Sequence, residues 1–292
     1  MTKTKYTLLF LIGFLVSGCN KNDQVAAYVT IEPFEYTPGE DNIMSTKITD
    51  GWVYVDNEFL GAFDLPKTIP VLKSGENSIV IDAGIKENGI AATPDLYTFY
   101  ERYSTTVNLV PGEKVIVSPS TTYDNTKTNL IFDEFFEDGT SHQFENNLDG
   151  NDNTEIVFTS EVVKEGNQAG KIYLDTENNF IIEGSDYIEN PPSSGLTAYI
   201  EMDYKTDIPI FVGLRGYGSA DQLVFSEINL GINAKSEWNK IYLNVTDKLQ
   251  SLAIAGATKY RIVIQAQIPT ENGENTMENA EIYIDNIKLV SL

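Results

Sequence analysis

The sequence predicts an all-β protein built as two sandwich domains, the second a jelly roll. Three observations carry the prediction. Short runs alternate β-branched or aromatic residues with polar ones, and 16 Tyr and 14 Phe enrich them. Gly, Pro, Asn and Asp punctuate the runs at short intervals. Periodicity near 3.6 residues is almost absent, leaving KLQSLAIAGA after Thr246-Asp247 as the one stretch suited to a helical turn.

The chain of 292 residues opens with Lys3 and Lys5, an apolar run from Tyr6 to Val16, and then small residues, Ser17 and Gly18. That is the three-part plan of a secretory signal, so residues 1–18 are expected to be a removed leader. The run is shorter than the roughly 20 apolar residues of a transmembrane helix. A buried core helix is the competing reading, but polar residues follow Cys19 at once and give it no amphipathic continuation. Residues 19–26 then form a polar tether.

The first domain, residues 27–120, is expected to contain strands at Ala27–Glu32, Trp52–Asp56, Ser78–Ala83, Thr105–Val110 and Lys114–Pro119. Turns are expected at Asp50-Gly51, Ser74-Gly75, Asn88-Gly89 and Pro111-Gly112. Residues 121–130 lack alternation and suggest a linker. In the second domain, residues 131–292, strands are expected at Thr154–Val163, Gly170–Asp175, Leu196–Lys205, Ile208–Gly216, Gln222–Ile232, Trp238–Val245, Lys259–Ile268 and Ala280–Val290. Eight strands fit a jelly roll. In the last of them the apolar phase slips across Asp285-Asn286, which predicts either a β-bulge or a strand end at Asp285.

Leu15-Val16-Ser17-Gly18-Cys19 resembles the lipobox of bacterial lipoproteins. The resemblance implies cleavage before Cys19, a diacylglycerol thioether on its sulfur and an acylated amino group, hence an outer-membrane anchor facing either the cell surface or the periplasm. Several acyl chains exceed what stable anchoring needs. Cys19 is the only cysteine, so no intrachain disulfide forms. EMDYKTDIPIFVGL, EWNKIYLNVTD and IYIDNIKLV, in that order, resemble the galactose-binding-like sandwich of carbohydrate-binding modules and of many Bacteroidota lipoproteins. DGWVYVDNEFLGAFDLP and VNLVPGEKVIVSP are similar to PEGA-type or immunoglobulin-like surface modules. The galactose-binding-like resemblance further implies a structural calcium shared by Glu137 in FFEDG and Asp285 in YIDNI.

Composition excludes some partners. The formal charge is −23, and removal of the leader with Lys3 and Lys5 makes it −25, with no Lys/Arg cluster to attract nucleic acid or anionic headgroups. ENNLDGNDNTEI, Glu145 to Ile156, alternates acidic and amide residues before Gly150, but Ile156 stands where a calcium loop needs a bidentate Glu, so a polar hairpin loop is expected. The single histidine, His142, lies in the polar stretch DGTSHQF, expected to be a surface loop, and no activated-serine signature accompanies it. Trp52 and Trp238 are expected in the core.

No catalytic residue is therefore assigned. A glycosidase would need two facing carboxylates in a cleft. The expected function is non-catalytic binding of a glycan or other envelope polymer. Arg215 and Tyr217, in the glycine-rich GLRGYGSADQ, and Gln265 and Gln267, which alternate outward against Ile262, Ile264 and Ala266, are the candidate ligand residues. The alternative is an accessory subunit of an envelope protein complex, which would present a broad apolar patch in place of a sugar site.

Overall fold

A computed structural model describes residues 25–38, 44–192 and 195–292. Residues 1–18 and Cys19 lie outside the described residues. Among those described, no helix is long and apolar enough to cross a membrane.

The N-terminal half holds β1 (Ala27–Ile31), β2 (Glu35–Tyr36), β3 (Asp50–Val55), β4 (Glu58–Asp64), β5 (Lys67–Val71), β6 (Gly75–Lys86), β7 (Pro94–Leu96), β8 (Tyr103–Leu109), β9 (Lys114–Val117) and β10 (Ser120–Thr121). A three-stranded sheet, β5-β1-β9, faces a larger one, β4-β3-β6-β7 with β8 also on β6. Alternate residues of both meet in one core that includes Val29, Ile31, Val53, Val55, Ile79 and Ile81. The pair β1–β9 is parallel, so the first and last long strands of this half close one sheet together.

The C-terminal half holds β11 (Asn129–Glu134), β12 (Asn146–Asn147), β13 (Val157–Thr159), β14 (Ala169–Asp175), β15 (Phe180–Gly184), β16 (Ile188–Glu189), β17 (Ala198–Thr206), β18 (Ile210–Tyr217), β19 (Leu223–Ile232), β20 (Lys235–Asn244), α1 (Thr246–Ile254), β21 (Lys259–Gln267), β22 (Thr270–Glu271), β23 (Glu274–Asn275) and β24 (Asn279–Ser291). One sheet runs β13-β14-β24-β17-β20, with β11 also on β24; the other runs β12-β15-β21-β18-β19, with β16 on β21. A second core, including Ile200, Met202, Leu214, Ile262, Ile264, Ile282 and Leu289, fills the space between them. The all-β, double-sandwich expectation holds.

Several local expectations are corrected. Asp50 and Gly51 are strand, not turn: Gly51 is buried, and a Cβ there would lie 3.2 Å from side-chain atoms of Ile81 and Leu65. The segment Thr154–Val163 pairs only over Val157–Thr159. β4, β5 and β15 had not been expected. Trp52 stacks on Phe59 at 5.5 Å and belongs to neither core, and Trp238 is likewise only half-buried. The stretch after Thr246 is a nine-residue helix. Across Asp285-Asn286 the strand continues: β24 carries two residues opposite the one residue of β17 between Glu201 and Asp203, and Asn286 takes φ 49°. That is the β-bulge.

The two halves touch through the outward side of the β24–β17–β20 face. Tyr97, Phe99, Tyr100, Ala83 and Ile85 from the N-terminal half pack with Tyr199, Tyr242 and Val290. Residues 121–130 do not hang free: Asp124 N–H donates to Phe99 C=O at 2.8 Å, and Tyr123 donates to Glu201. Glu201 is 1 % exposed and sits under this tyrosine layer. Its Oε1 accepts the hydroxyls of Tyr97, at 2.5 Å, and of Tyr123. Its Oε2 lies 3.3 Å from Lys240 Nζ, an ion pair without hydrogen-bond geometry. Burial, reinforced by the Glu201 charge, pushes the Tyr97 and Tyr123 hydroxyls well above the usual phenol range and keeps them as donors. Asp203, fully buried, accepts Ser45 Oγ at 2.7 Å and Asn286 Nδ2 at 3.0 Å and lies 3.8 Å from Lys240.

Removing one member of a buried, charged network costs about 3–5 kcal/mol because the partner charge stays buried. Glu201→Ala is therefore expected to lower the Tm by roughly 10 °C, at about 2–4 °C per kcal/mol for a chain of this size. Thermal melts check it, with Glu201→Gln, which keeps one acceptor, falling between wild type and Ala. A Glu201→Ala melt within 2 °C of wild type would contradict the role given to this carboxylate.

Candidate functional site

The strand β18 alternates: Ile210, Val212 and Leu214 point into the core, which leaves Phe211, Gly213, Arg215 and Tyr217 on the outward side. The neighbouring β21 does the same, with Tyr260, Ile262, Ile264 and Ala266 inward. Cross-strand register then sets the outward rows. Gln267 lies opposite Phe180, and Gln265 lies between Ile182 and Phe211, whose far neighbour is Gly231. Arg215 lies between Arg261 and Ser226, and Tyr217 between Lys259 and Leu223.

All four sequence-predicted ligand residues thus share one face of one sheet, but they form two groups. Gln265 and Gln267 stand with Phe180 and Phe211, the latter 40 % exposed. Arg215 stands four residues along from Phe211, about 13 Å at the strand rise, and Tyr217 two residues beyond it. The row between them, Gly184, Val263 and Gly213, is buried. Sequence reasoning missed Phe180 and Phe211, although both sit in register with glutamines it had selected. It also missed Arg261 and Tyr187.

The arginine end is unusual electrostatically. Arg261 is 8 % exposed; its Nη1 donates to Ser185 C=O, and its guanidinium carbon lies 3.6 Å from the Tyr187 ring centroid. Lys259 Nζ lies 3.9 Å from the same centroid and pairs with Asp221. Tyr187 meets Tyr217 edge-on at 5.3 Å. Among the described residues, the buried Nε of Arg215 has no hydrogen-bond partner.

Glu137 and Asp285, the expected calcium pair, bracket one loop. Glu137 accepts the amides of Asn167 at 2.8 Å and Gln168 at 3.1 Å. Burial raises its pKa, but these bonds and the Asn167 side chain outweigh it and hold it below the ordinary range. Asp285 accepts the amides of Lys164 and Glu165, both at 3.3 Å, and of Asn286 at 2.8 Å. Burial nevertheless pushes it up to about 7. Gly166, between the two amide pairs, has φ 74°, and a Cβ there would meet the Glu137 carboxylate. For one ion to bridge the pair, the 164–168 loop must first turn these N–H groups away and present oxygens. Among the described residues, no group of three or more His, Cys, Asp or Glu is gathered as a metal site requires.

His142 is not a free surface residue. Its Nδ1 accepts Phe144 N–H at 3.1 Å, which assigns the proton to Nε2, 2.8 Å from Ile156 C=O. The ring packs against Phe136 and Phe158. With both nitrogens engaged, it braces the 142–158 loop and is not placed as a base. The Glu145–Ile156 stretch is polar and turned but is not the expected hairpin, because β12 pairs with β15 and β13 with β14 in the opposite sheet, so it crosses between sheets. Asn147 Oδ1 accepts Gly150 N–H at 2.7 Å, and Asp149 Oδ1 accepts Asn151 N–H at 2.7 Å.

No family model and no curated protein sequence matches the chain. Several solved structures do. A CBM22 xylan-binding domain from Paenibacillus barcinonensis matches 56 % of this chain and 96 % of its own length at 10 % identity and TM-score 0.38. A carbohydrate-binding module of the β-sandwich superfamily matches 90 % of this chain and 98 % of its own at 14 % identity and TM-score 0.38. The tailspike protein 4 domain of bacteriophage CBA120 matches 48 % of this chain and 18 % of its own at 11 % identity and TM-score 0.34. At these TM-scores the likenesses carry no argument about what this chain binds; the β-sandwich rests on the strand order.

One carboxyl was missed entirely. Glu183, on β15, is 3 % exposed, and its side chain has no hydrogen bond or ion pair among the described residues. It lines a cavity of about 350 Å³ with Glu155, Asp152 and Asn147. Burial, then the charges of Asp149, Glu155 and Glu145, push it up to about 7. Because the folded value lies above the ordinary 4.5, its favourable contribution is complete below pH 4.5 and is lost as pH rises through about 7. Glu183→Gln is therefore expected to gain several degrees of Tm on wild type between pH 5 and pH 8, with Asp285 common to both proteins. Parallel Tm-against-pH curves would contradict the shift.

Proposed function

We propose that this chain is a non-catalytic glycan-binding protein, anchored to the outer membrane through lipid on Cys19, that meets its ligand with the outward face of the β15–β21–β18–β19 sheet. The observation that carries the reading is the division of the two outward faces. The β24–β17–β20 face is covered by the N-terminal half, whereas the opposite one leaves Phe211 40 % exposed beside Gln265 and Gln267.

The chemistry suits a sugar. A pyranose offers an apolar face of C–H groups and a rim of hydroxyls. Phe180 and Phe211 supply flat apolar surface, and each glutamine amide supplies both donors and acceptors without a charge to desolvate. The aromatic and amide residues come from adjacent, paired strands, so the site is held by the sheet and needs little ordering on binding. The anchor is supported by the leader pattern and Leu15–Cys19; the tether that follows would let the sandwiches stand off the bilayer. Which side of the outer membrane they face belongs to the same proposal, and protease shaving of intact cells reads it.

An oligosaccharide array followed by calorimetric titration tests the binding. Phe211→Ala and Gln267→Ala are each expected to weaken the best hit at least tenfold without lowering the Tm. Cys19→Ser is expected to move the protein from the membrane to the soluble fraction. An array with no hit, beside capture of one stoichiometric protein partner, would replace the glycan reading with the accessory-subunit one. A free thiol at Cys19 by intact mass would remove the anchor.

A further inference from the structure

The chain has three arginines, Arg102, Arg215 and Arg261, against 43 acidic residues. Arg102 does what an arginine in such a chain is expected to do. Its Nε and Nη2 make a forked pair with Asp82 at 2.6 and 2.7 Å. The other two face each other directly across the β18–β21 pairing and, among the described residues, neither forms an ion pair with a carboxylate.

Like charges directly opposite each other on a sheet are destabilising. A protein with this excess of carboxylates has ample means to neutralise them. Asp221, nearby, pairs with Lys259, and Arg261 spends one nitrogen on the neutral Ser185 carbonyl and its face on Tyr187. Arg215 is left half-exposed, its Nε without a partner. The two guanidiniums share the outward side with Tyr217 and lie about 13 Å along the sheet from the Phe211 and Gln265 group. A planar guanidinium fork matches carboxylate and sulfate geometry and is less suited to a lone hydroxyl.

We propose that Arg215 and Arg261 form an anion subsite that selects glycans carrying carboxylate or sulfate groups. The proposal rests on the glycan reading above and narrows its substrate class. One fork takes the acidic substituent of a sugar whose neighbouring residues lie toward Phe211. The ligand's anion also relieves the repulsion between the two arginines, so binding and stability are linked.

The test compares an oligogalacturonic acid, a sulfated oligosaccharide and the carboxyl-reduced neutral oligomer by calorimetric titration of the purified protein, with inorganic sulfate as competitor. Binding of an acidic oligomer at least tenfold tighter than its neutral counterpart is expected. Arg215→Gln should abolish that difference by weakening the acidic oligomer at least tenfold, and leave the Tm equal or higher because the opposed charges are gone. Sulfate at millimolar concentration should compete only with the acidic oligomers. Equal binding of acidic and neutral oligomers, with Phe211→Ala weakening both and Arg215→Gln neither, overturns the anion subsite and keeps the glycan reading. No binding of any oligomer overturns both. A fall in Tm for Arg215→Gln would mean that the residue serves the fold, and would also overturn the subsite.

Discussion

A carboxylate buried where two sandwiches meet decides which surface of this protein is left for a ligand. Glu201 leaves water to accept two tyrosine hydroxyls and to lie against Lys240. Such a group is costly to bury and costly to unpair, so the contact between the halves has one favourable arrangement and poor alternatives. The surrounding rings, Tyr97, Phe99, Tyr100, Tyr199 and Tyr242, add apolar burial around it. Tyrosine suits this boundary because one end packs and the other donates.

From that contact follows an asymmetry. Each jelly-roll sheet has one face turned to the core, but among the described residues only one sheet has its second face covered by another module. The β15–β21–β18–β19 face keeps Phe211, the two glutamines and Arg215 accessible to a ligand. Its two ends differ in chemistry: aromatic and amide groups at one, opposed guanidiniums at the other. On the proposed reading, selectivity between neutral and acidic polymers follows from that spacing, since each end would contribute a different part of the binding free energy.

Much of this was legible in the residues. Alternation in KYRIVIQAQI put Gln265 and Gln267 outward because Ile262, Ile264 and Ala266 had to be inward, and the phase slip at Asp285-Asn286 marked the bulge. What was not legible depends on pairing between distant segments. Nothing in GLRGYG or KYRIV says that Arg215 and Arg261 are neighbours, because cross-strand register is set by the whole sheet. Glu183 reads as one acidic residue among many until the 142–156 loop closes over it. Asp50-Gly51 has turn composition but is strand, since Leu65 and Ile81 fill the space a side chain would need. His142 looked like a free surface residue because its partners, Ile156 and Phe158, are backbone and ring groups that sequence spacing does not reveal.

The account depends most on the two sandwiches behaving as one unit through Glu201, because only then is the face opposite the contact the one left open for the proposed ligand. Two independent sandwiches of different stability would melt separately, whereas two joined by a buried charged network and an aromatic layer should unfold together. Scanning calorimetry of the purified protein reads this directly. A single transition, with calorimetric and van't Hoff enthalpies in agreement, is the predicted result. Two resolved transitions in the unmodified protein would contradict it.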